Sequence, residues 1–171
     1  MTAVKNKKRR IVILLVELLI FFLVYLGIRA WMQRDMVQGP APALPAITMQ
    51  GESFSLESYR GKPVLVHFWA SWCAICDLQQ GAINSISEDW QVITVAMQSG
   101  NAEDVGNYMK EQGLDWPVII DTSGVVAQSY GVRGVPANFI LDKDGVVRFS
   151  ESGFTTELGL RARLWAAGND S

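Results

Sequence analysis

Apolar residues run almost without a break from position 11 to position 30, then thin into short patterned stretches along the rest of the chain. At 1.5 Å of rise per residue such a run matches a hydrocarbon core of about 30 Å, so it predicts one membrane-spanning helix. Beyond it, Gln38-Gly39-Pro40-Ala41-Pro42-Ala43-Leu44-Pro45 has three prolines and no usable period, which predicts a semi-extended spacer. The expected organisation is a basic tip and anchor over 1–34, a Pro-rich linker over 35–45 and one folded domain over 46–168.

Within that domain, 47–49 and 54–56 read as a small hairpin, followed by a Tyr59-Arg60-Gly61-Lys62-Pro63 turn. Residues 64–69, apolar but for His67, read as a buried central strand. Ile75, Leu78, Ala82, Ile83, Ile86 and Trp90 then recur at helical spacing and predict one apolar helix face. A strand is expected over 92–97. Asn101 with Glu103 and Asp104 opens a helix with Val105, Tyr108 and Met109 inward and Gly113 at its end. A strand over 116–121, a short helix over 125–130 and a hairpin of 137–141 with 146–149 follow. Asp142-Lys143-Asp144-Gly145 marks the hairpin turn. Thr156 caps a last helix with Leu158, Ala162 and Trp165 facing inward. Strands alternating with helices, then a hairpin and a final helix, imply an α/β mixed sheet covered on both faces.

Charge adds a direction to the apolar run. Lys5, Lys7, Lys8, Arg9 and Arg10 precede it, and positive charge on that flank predicts a cytoplasmic N-terminus with the domain exported. A cleaved signal peptide competes, because Ala41-Pro42-Ala43 loosely resembles a cleavage site. The site lies too far from the apolar run, and the run is longer than a signal core, so an uncleaved anchor is favoured. Without residues 1–34 the chain keeps eight Lys and Arg against sixteen Asp and Glu. An acidic domain argues against a nucleic-acid partner, whose phosphates demand clustered positive charge.

Cys73 and Cys76 are the only cysteines, in Phe68-Trp69-Ala70-Ser71-Trp72-Cys73-Ala74-Ile75-Cys76, between the central strand and the helix that follows. Two thiols at that spacing meet on one face of a first helical turn, where unpaired N–H groups and the macrodipole favour a thiolate. In an oxidising compartment a lone pair held as CxxC is a working pair more readily than a staple, since so short a loop adds little stability. Zinc sites use the same spacing, yet no second CxxC or histidine pair completes four ligands, so no metal is expected.

With those residues in view the domain resembles the membrane-anchored, periplasmic thioredoxin-like proteins of the TlpA and redoxin group. Within that group it is similar to the protein disulfide oxidoreductases of the ScsD type, linked to bacterial copper tolerance. The likeness runs over about 47–167 through the N-terminal hairpin, Val64-Leu65-Val66-His67-Phe68-Trp69-Ala70-Ser71-Trp72-Cys73 and Gly134-Val135-Pro136-Ala137-Asn138-Phe139. It implies a thioredoxin-like mixed sheet, a redox-active Cys73–Cys76 disulfide in place of any bound cofactor, and a cis peptide at Val135-Pro136 facing the cysteines. The partners it implies are cysteine-containing exported proteins and a membrane thiol-disulfide electron donor or oxidant, at a bacterial inner membrane.

Cys73, at the helix start, is expected to be the exposed nucleophile and Cys76, one turn deeper, the resolving thiol. Val135 is expected to offer its backbone to an extended substrate segment. His67 stands where thioredoxins carry a buried acid; a neutral imidazole under Cys76 could accept its proton, and a half-buried strand residue with one hydrogen bond is the plainer alternative. Ala74-Ile75 places no cation between the sulfurs, which tilts the reading toward a reductant or isomerase. Trp69 is assigned to the core and Trp72 to substrate contact. Glu17 interrupts the anchor, by protonation, tilting or a helix contact. Met49, Met97 and Met109 read as core filler. A Cu(I)-binding module using the same thiols is the second function class, and peroxide reduction a third, weakened by the missing Thr or Ser of the peroxidatic pattern.

Overall fold

The computed structural model describes residues 2–45, 48–49, 51 and 55–169 and divides into two compact units, Met1–Arg34 and Asp35–Ser171. The first is a single helix, α1 (Thr2–Gln33), of which Arg9–Gln33 is long and apolar enough to cross a membrane. Its apolar side chains are exposed around the whole circumference, so it calls for an apolar surrounding such as lipid.

The second unit is built on a six-stranded sheet: β1 (Gly39–Pro40), β2 (Val64–Trp69), β3 (Gln91–Met97), β4 (Val118–Asp121), β5 (Ala137–Leu141) and β6 (Val146–Ser152), in the order β1-β6-β5-β2-β3-β4. Parallel pairing joins β2 to β3 and β3 to β4, whereas β5 runs antiparallel to β2 and β6. The helices are α2 (Ala74–Asp89), α3 (Ala102–Gln112), α4 (Val125–Ser129) and α5 (Glu157–Asn169), with a 3-10 turn at Leu56–Tyr59.

All six residues of β2 are buried, because helices cover both faces of the sheet at its centre. Leu65 and Trp69 pack with Ile83, Ile86, Val105, Leu160 and Leu164 under α2, α3 and α5. On the other face Val66 and Phe68 pack with Ile93, Val95, Tyr130 and Phe139. The rings of Phe68, Tyr130 and Phe139 lie 5.0 to 5.5 Å apart, in tilted and edge arrangements that suit their quadrupoles. Helix ends follow their chemistry. Asn101 and Asp104 form a capping box, Gly113 closes α3 at φ 66°, and the Thr156 hydroxyl accepts from Gly159 N at 3.2 Å.

Four expectations need correction. The spacer over 35–45 is part of the folded unit: Met36 is buried in the second core, β1 pairs with β6, and Val37 N donates to Tyr130 O at 3.1 Å. Proline-rich chain serves as an edge strand because an edge needs only half its hydrogen bonds. Helix α2 is rotated from its expected face, burying Cys76, Gln79, Ile83 and Ile86 while Ile75 and Leu78 point outward. Helix α5 likewise buries Leu160, Leu164 and Ala167, with Leu158 and Trp165 exposed. The strand expected over 116–121 begins only at Val118, after Pro117. The N-terminal hairpin falls largely on residues outside the described ones; Leu56 opens the 3-10 turn, and Met49 N donates to Val118 O at 2.7 Å.

Candidate active site

The buried strand β2 delivers the chain to the end of the sheet, where Ala70 O accepts from Cys73 N at 3.1 Å and turns it into α2. Cys73 is the N-cap of that helix in extended conformation (φ −101°, ψ 97°), and its Sγ accepts from Cys76 N at 3.2 Å. This is the donor and dipole arrangement that stabilises a thiolate. Cys73 and Cys76 are joined as a disulfide, with Cα atoms 5.3 Å apart.

Neither sulfur-bearing residue stands free of the surface. Cys73 is 7% exposed and Cys76 2%, so the expectation of an exposed Cys73 needs correction: both are buried, with Cys73 the less so. The cover is backbone: Cys73 Sγ lies 3.5 Å from the carbonyl oxygen of Val135. Val135-Pro136 is cis, as the resemblance implies, with Pro136 buried and its carbonyl accepting from Gly153 N at 2.8 Å.

Trp69 is core, stacked on Tyr108 with centroids 5.4 Å apart. Trp72 is 62% exposed, its indole N–H donating to Gln98 O at 3.0 Å while Ser71 N donates to Ser99 Oγ at 3.0 Å. The loop after β3 thus fixes one edge of the indole and leaves its face outward. Leu78, 76% exposed, and Ile75 share the outward side of the first turns of α2. Exposed Phe154 precedes Thr155, whose N–H reaches Gln79 Oε1 at 3.4 Å. Trp72, Ile75 and Leu78, each within two residues of a cysteine along the chain, form with Phe154 a set of exposed apolar side chains. Ile75 and Leu78 were missed from sequence because their spacing fits a core face equally well; a solvated apolar pair beside a CxxC was the only available signal.

Below the pair, Asp77 in the first turn of α2 accepts from Tyr108 Oη at 2.6 Å, tying α3 to the helix start. Burial and the Asp77 carboxylate push the Tyr108 hydroxyl up to about 12, so it remains a donor. His67 is buried on β2, with Nδ1 2.8 Å from Asn138 Oδ1 on the neighbouring strand β5. Burial lowers its pKa from 6.5 to about 4, the Asn138 hydrogen bond opposing, so the ring is neutral at pH 7. Gln79 Nε2 reaches the same Asn138 oxygen at 3.4 Å. Neither Asn138 nor Gln79 was singled out from sequence, since a buried amide carries no periodic signature.

The His67 shift predicts an acid sensitivity of the fold. Between pH 6.5 and about 4 the unfolded chain binds a proton that native His67 refuses, so stability is full above that window and falls as pH drops through it. The loss reaches about 3 kcal/mol by pH 4 at about 1.4 kcal/mol per pH unit. Urea unfolding at pH 7 and pH 4 should show that difference, and His67→Gln should shrink it by most of that amount. An equal acid loss in the variant rules the explanation out.

Among the described residues no group of three or more His, Cys, Asp or Glu side chains is placed to hold a metal ion. Comparison with known proteins adds the following. A family profile described as the AhpC/TSA family matches residues 37–150. A "Thioredoxin-like protein" of Haemophilus influenzae is 33% identical over 153 residues, covering 88% of this chain and 91% of the relative. The "Thiol-disulfide oxidoreductase ResA" of Bacillus cereus is 29% identical over 150 residues, covering 82% and 87%. Among solved structures, the exposed lipoprotein thioredoxin of Streptococcus pneumoniae superposes with a TM-score of 0.65 at 29% identity, over 73% of this chain and 99% of that one. A thiol:disulfide interchange protein of the thioredoxin family from Chlorobium tepidum gives 0.62 at 25% identity, over 78% and 98%.

Proposed function

The chain belongs to the AhpC/TSA family, and from that premise we propose that it is a thiol-disulfide oxidoreductase exchanging disulfides with cysteine-containing proteins through Cys73 and Cys76. The observation that carries this is a disulfide capping the start of α2, with the Val135 carbonyl 3.5 Å from Cys73 Sγ. Cys73 is the nucleophile: it keeps the larger exposure, and the Cys76 N–H aimed at its sulfur supports the thiolate. Cys76 resolves the mixed disulfide, and the buried neutral His67, on the strand beneath α2, accepts its proton. Redox equivalents reside in the pair, so the reaction needs no bound cofactor.

The substrate is a polypeptide segment that runs along the Val135 backbone and presents its cysteine to Cys73. Trp72, Ile75, Leu78 and Phe154 supply apolar contact on either side. Peroxide as substrate would leave those exposed apolar side chains without a role. For the Cu(I)-binding alternative, no His, Asp or Glu among the described residues joins the two cysteines in a group of three ligands. The setting we propose is a domain tethered by α1 to a bacterial inner membrane, facing the periplasm and serving exported proteins. A membrane thiol-disulfide partner regenerates the pair, in a reductive pathway of the copper-stress kind that the ScsD resemblance implies.

The full chain in detergent micelles should reduce insulin disulfides in the presence of dithiothreitol. Replacing Trp72 and Leu78 together by serine should slow insulin reduction about tenfold while leaving exchange with oxidised glutathione unchanged, since truncating one interface anchor costs about 1 kcal/mol or more. Failure to accelerate insulin reduction refutes the function; equal slowing with glutathione refutes the role of Trp72 and Leu78.

A further inference from the structure

The amide groups beneath the disulfide form a chain whose direction is settled at one end. Thr155 contributes a backbone N–H, which only donates, so the Gln79 atom 3.4 Å away is its oxygen and its NH₂ group points toward Asn138. The Asn138 atom facing that NH₂ is then its oxygen. The same oxygen lies 2.8 Å from His67 Nδ1, and two atoms that both accept cannot share a hydrogen bond, so Nδ1 carries the ring hydrogen. In a neutral imidazole the lone pair is left on Nε2.

This arrangement carries one unmet hydrogen bond. Asn138 is fully buried, and its Nδ2 finds no acceptor among the described residues, which costs about 1–3 kcal/mol. A leucine would remove that penalty but leave His67 Nδ1–H and the Gln79 NH₂ without their acceptor. The chain also links the elements that matter for exchange: Gln79 stands one turn after Cys76 on α2, Asn138 two residues after Pro136 on β5, and His67 between them on β2.

We propose that Asn138, oriented by Gln79, is a positioning residue that holds His67 as its Nδ1–H tautomer, with Nε2 the nitrogen that takes the Cys76 proton during resolution. The inference rests on the reading of His67 as proton acceptor. In the step, the Cys76 thiol gives its proton to Nε2 and the resulting thiolate attacks Cys73 Sγ. The Cys73–client S–S bond breaks as the Cys73–Cys76 bond forms. The client sulfur leaves with the electron pair and receives a proton in turn.

The titratable and charged groups around this row are few. Cys73 and Cys76 approach from α2, and Tyr108 of α3 stacks on Trp69. Glu151 of β6 lies opposite Asn138 in register and is paired with Arg163 of α5 at 2.8 Å. Thr94 of β3, beside His67, does not titrate.

Nitrogen-15 NMR of the full chain in micelles should show His67 protonated at Nδ1 and bare at Nε2 at neutral pH. Asn138→Leu should mix the tautomers and slow client release from the Cys73 mixed disulfide about tenfold or more, with attack by Cys73 unchanged. Asn138→Asp keeps an acceptor for Nδ1–H, so it should restore release, with the pH profile moved to higher pH by the added carboxylate. An Nε2–H ring in the unmodified chain overturns the inference. So does normal release in Asn138→Leu when His67→Ala is slow. Unchanged release in His67→Ala instead overturns the acceptor reading on which the inference rests. Should Asn138→Leu not fold, the tautomer of the unmodified chain and the pH profile of Asn138→Asp still decide.

Discussion

Replacing Cys73 by serine is expected to lower disulfide exchange with insulin at least about a thousandfold, to the uncatalysed rate, because the variant has no sulfur on which to form the mixed disulfide. Serine fits the N-cap as well as cysteine does and accepts the same Cys76 N–H, so the fold and the start of α2 should survive. The complementary change separates the two thiols. Cys76→Ser leaves the nucleophile and removes the resolving group, so client proteins should accumulate as covalent adducts of Cys73, visible on a non-reducing gel and released by dithiothreitol. Adducts that form in Cys73→Ser and not in Cys76→Ser reverse the assignment. The small exposure of Cys73 makes this a demanding test, since 2% for Cys76 allows a partner still less access than 7% does.

Gly131→Ala carries the largest expected effect on stability. Gly131 adopts φ 69°, where a Cβ costs about 1–2 kcal/mol. That Cβ would also run into the Asp35 carbonyl, which is backbone and cannot swing aside as a side chain would. Relief requires lifting the 35–37 segment off the domain. With it go the Val37 N to Tyr130 O hydrogen bond, the Arg133–Asp35 ion pair and the burial of Met36. Met36 burial contributes about 2 kcal/mol and the net hydrogen bond about 1 kcal/mol, so the total loss is about 4–5 kcal/mol. That is a large part of an ordinary stability of about 5–15 kcal/mol. Urea unfolding followed by tryptophan fluorescence should show a midpoint far below that of the parent chain. A loss under about 1 kcal/mol means that the segment is not fastened there.

Much of the fold and of the candidate site was legible before any coordinates. The long apolar helix, the central strand, the helix start at Asn101 and the β5–β6 hairpin all rest on local rules of spacing and turn chemistry, and they stand where those rules put them. The CxxC at a strand-to-helix junction was legible for the same reason: its geometry needs only the first turn of one helix. The errors share a cause as well. Ile75 and Leu78 on α2, and Leu158 and Trp165 on α5, obey helical periodicity, yet periodicity counts apolar positions without knowing which side meets the sheet. Each helix offers two overlapping apolar arcs, and docking chose the arc that buries Ile83 with Ile86, or Leu160 with Leu164.

The 35–45 segment shows the limit from the other direction. Proline and glycine forbid helix and interior strand, so composition alone argues for a tether. What makes it part of the domain is an open edge of β6 waiting for two hydrogen-bonding residues, and a glycine 96 positions after Asp35 that lets the backbones touch. The amides of Gln79 and Asn138 are silent in the sequence for a similar reason, since their meaning lies in which atoms they face.

Sequence alone therefore determined the local layout of this chain: a long apolar helix, a strand that leads into two cysteines, and the helix start that one of them caps, all set by neighbours within a few residues. Tertiary structure alone decided which apolar side chains near those thiols stay exposed, that His67 meets Asn138, and where the domain begins. Those choices depend on contacts between residues dozens of positions apart, and packing selects among several patterns that local energetics rank as nearly equal.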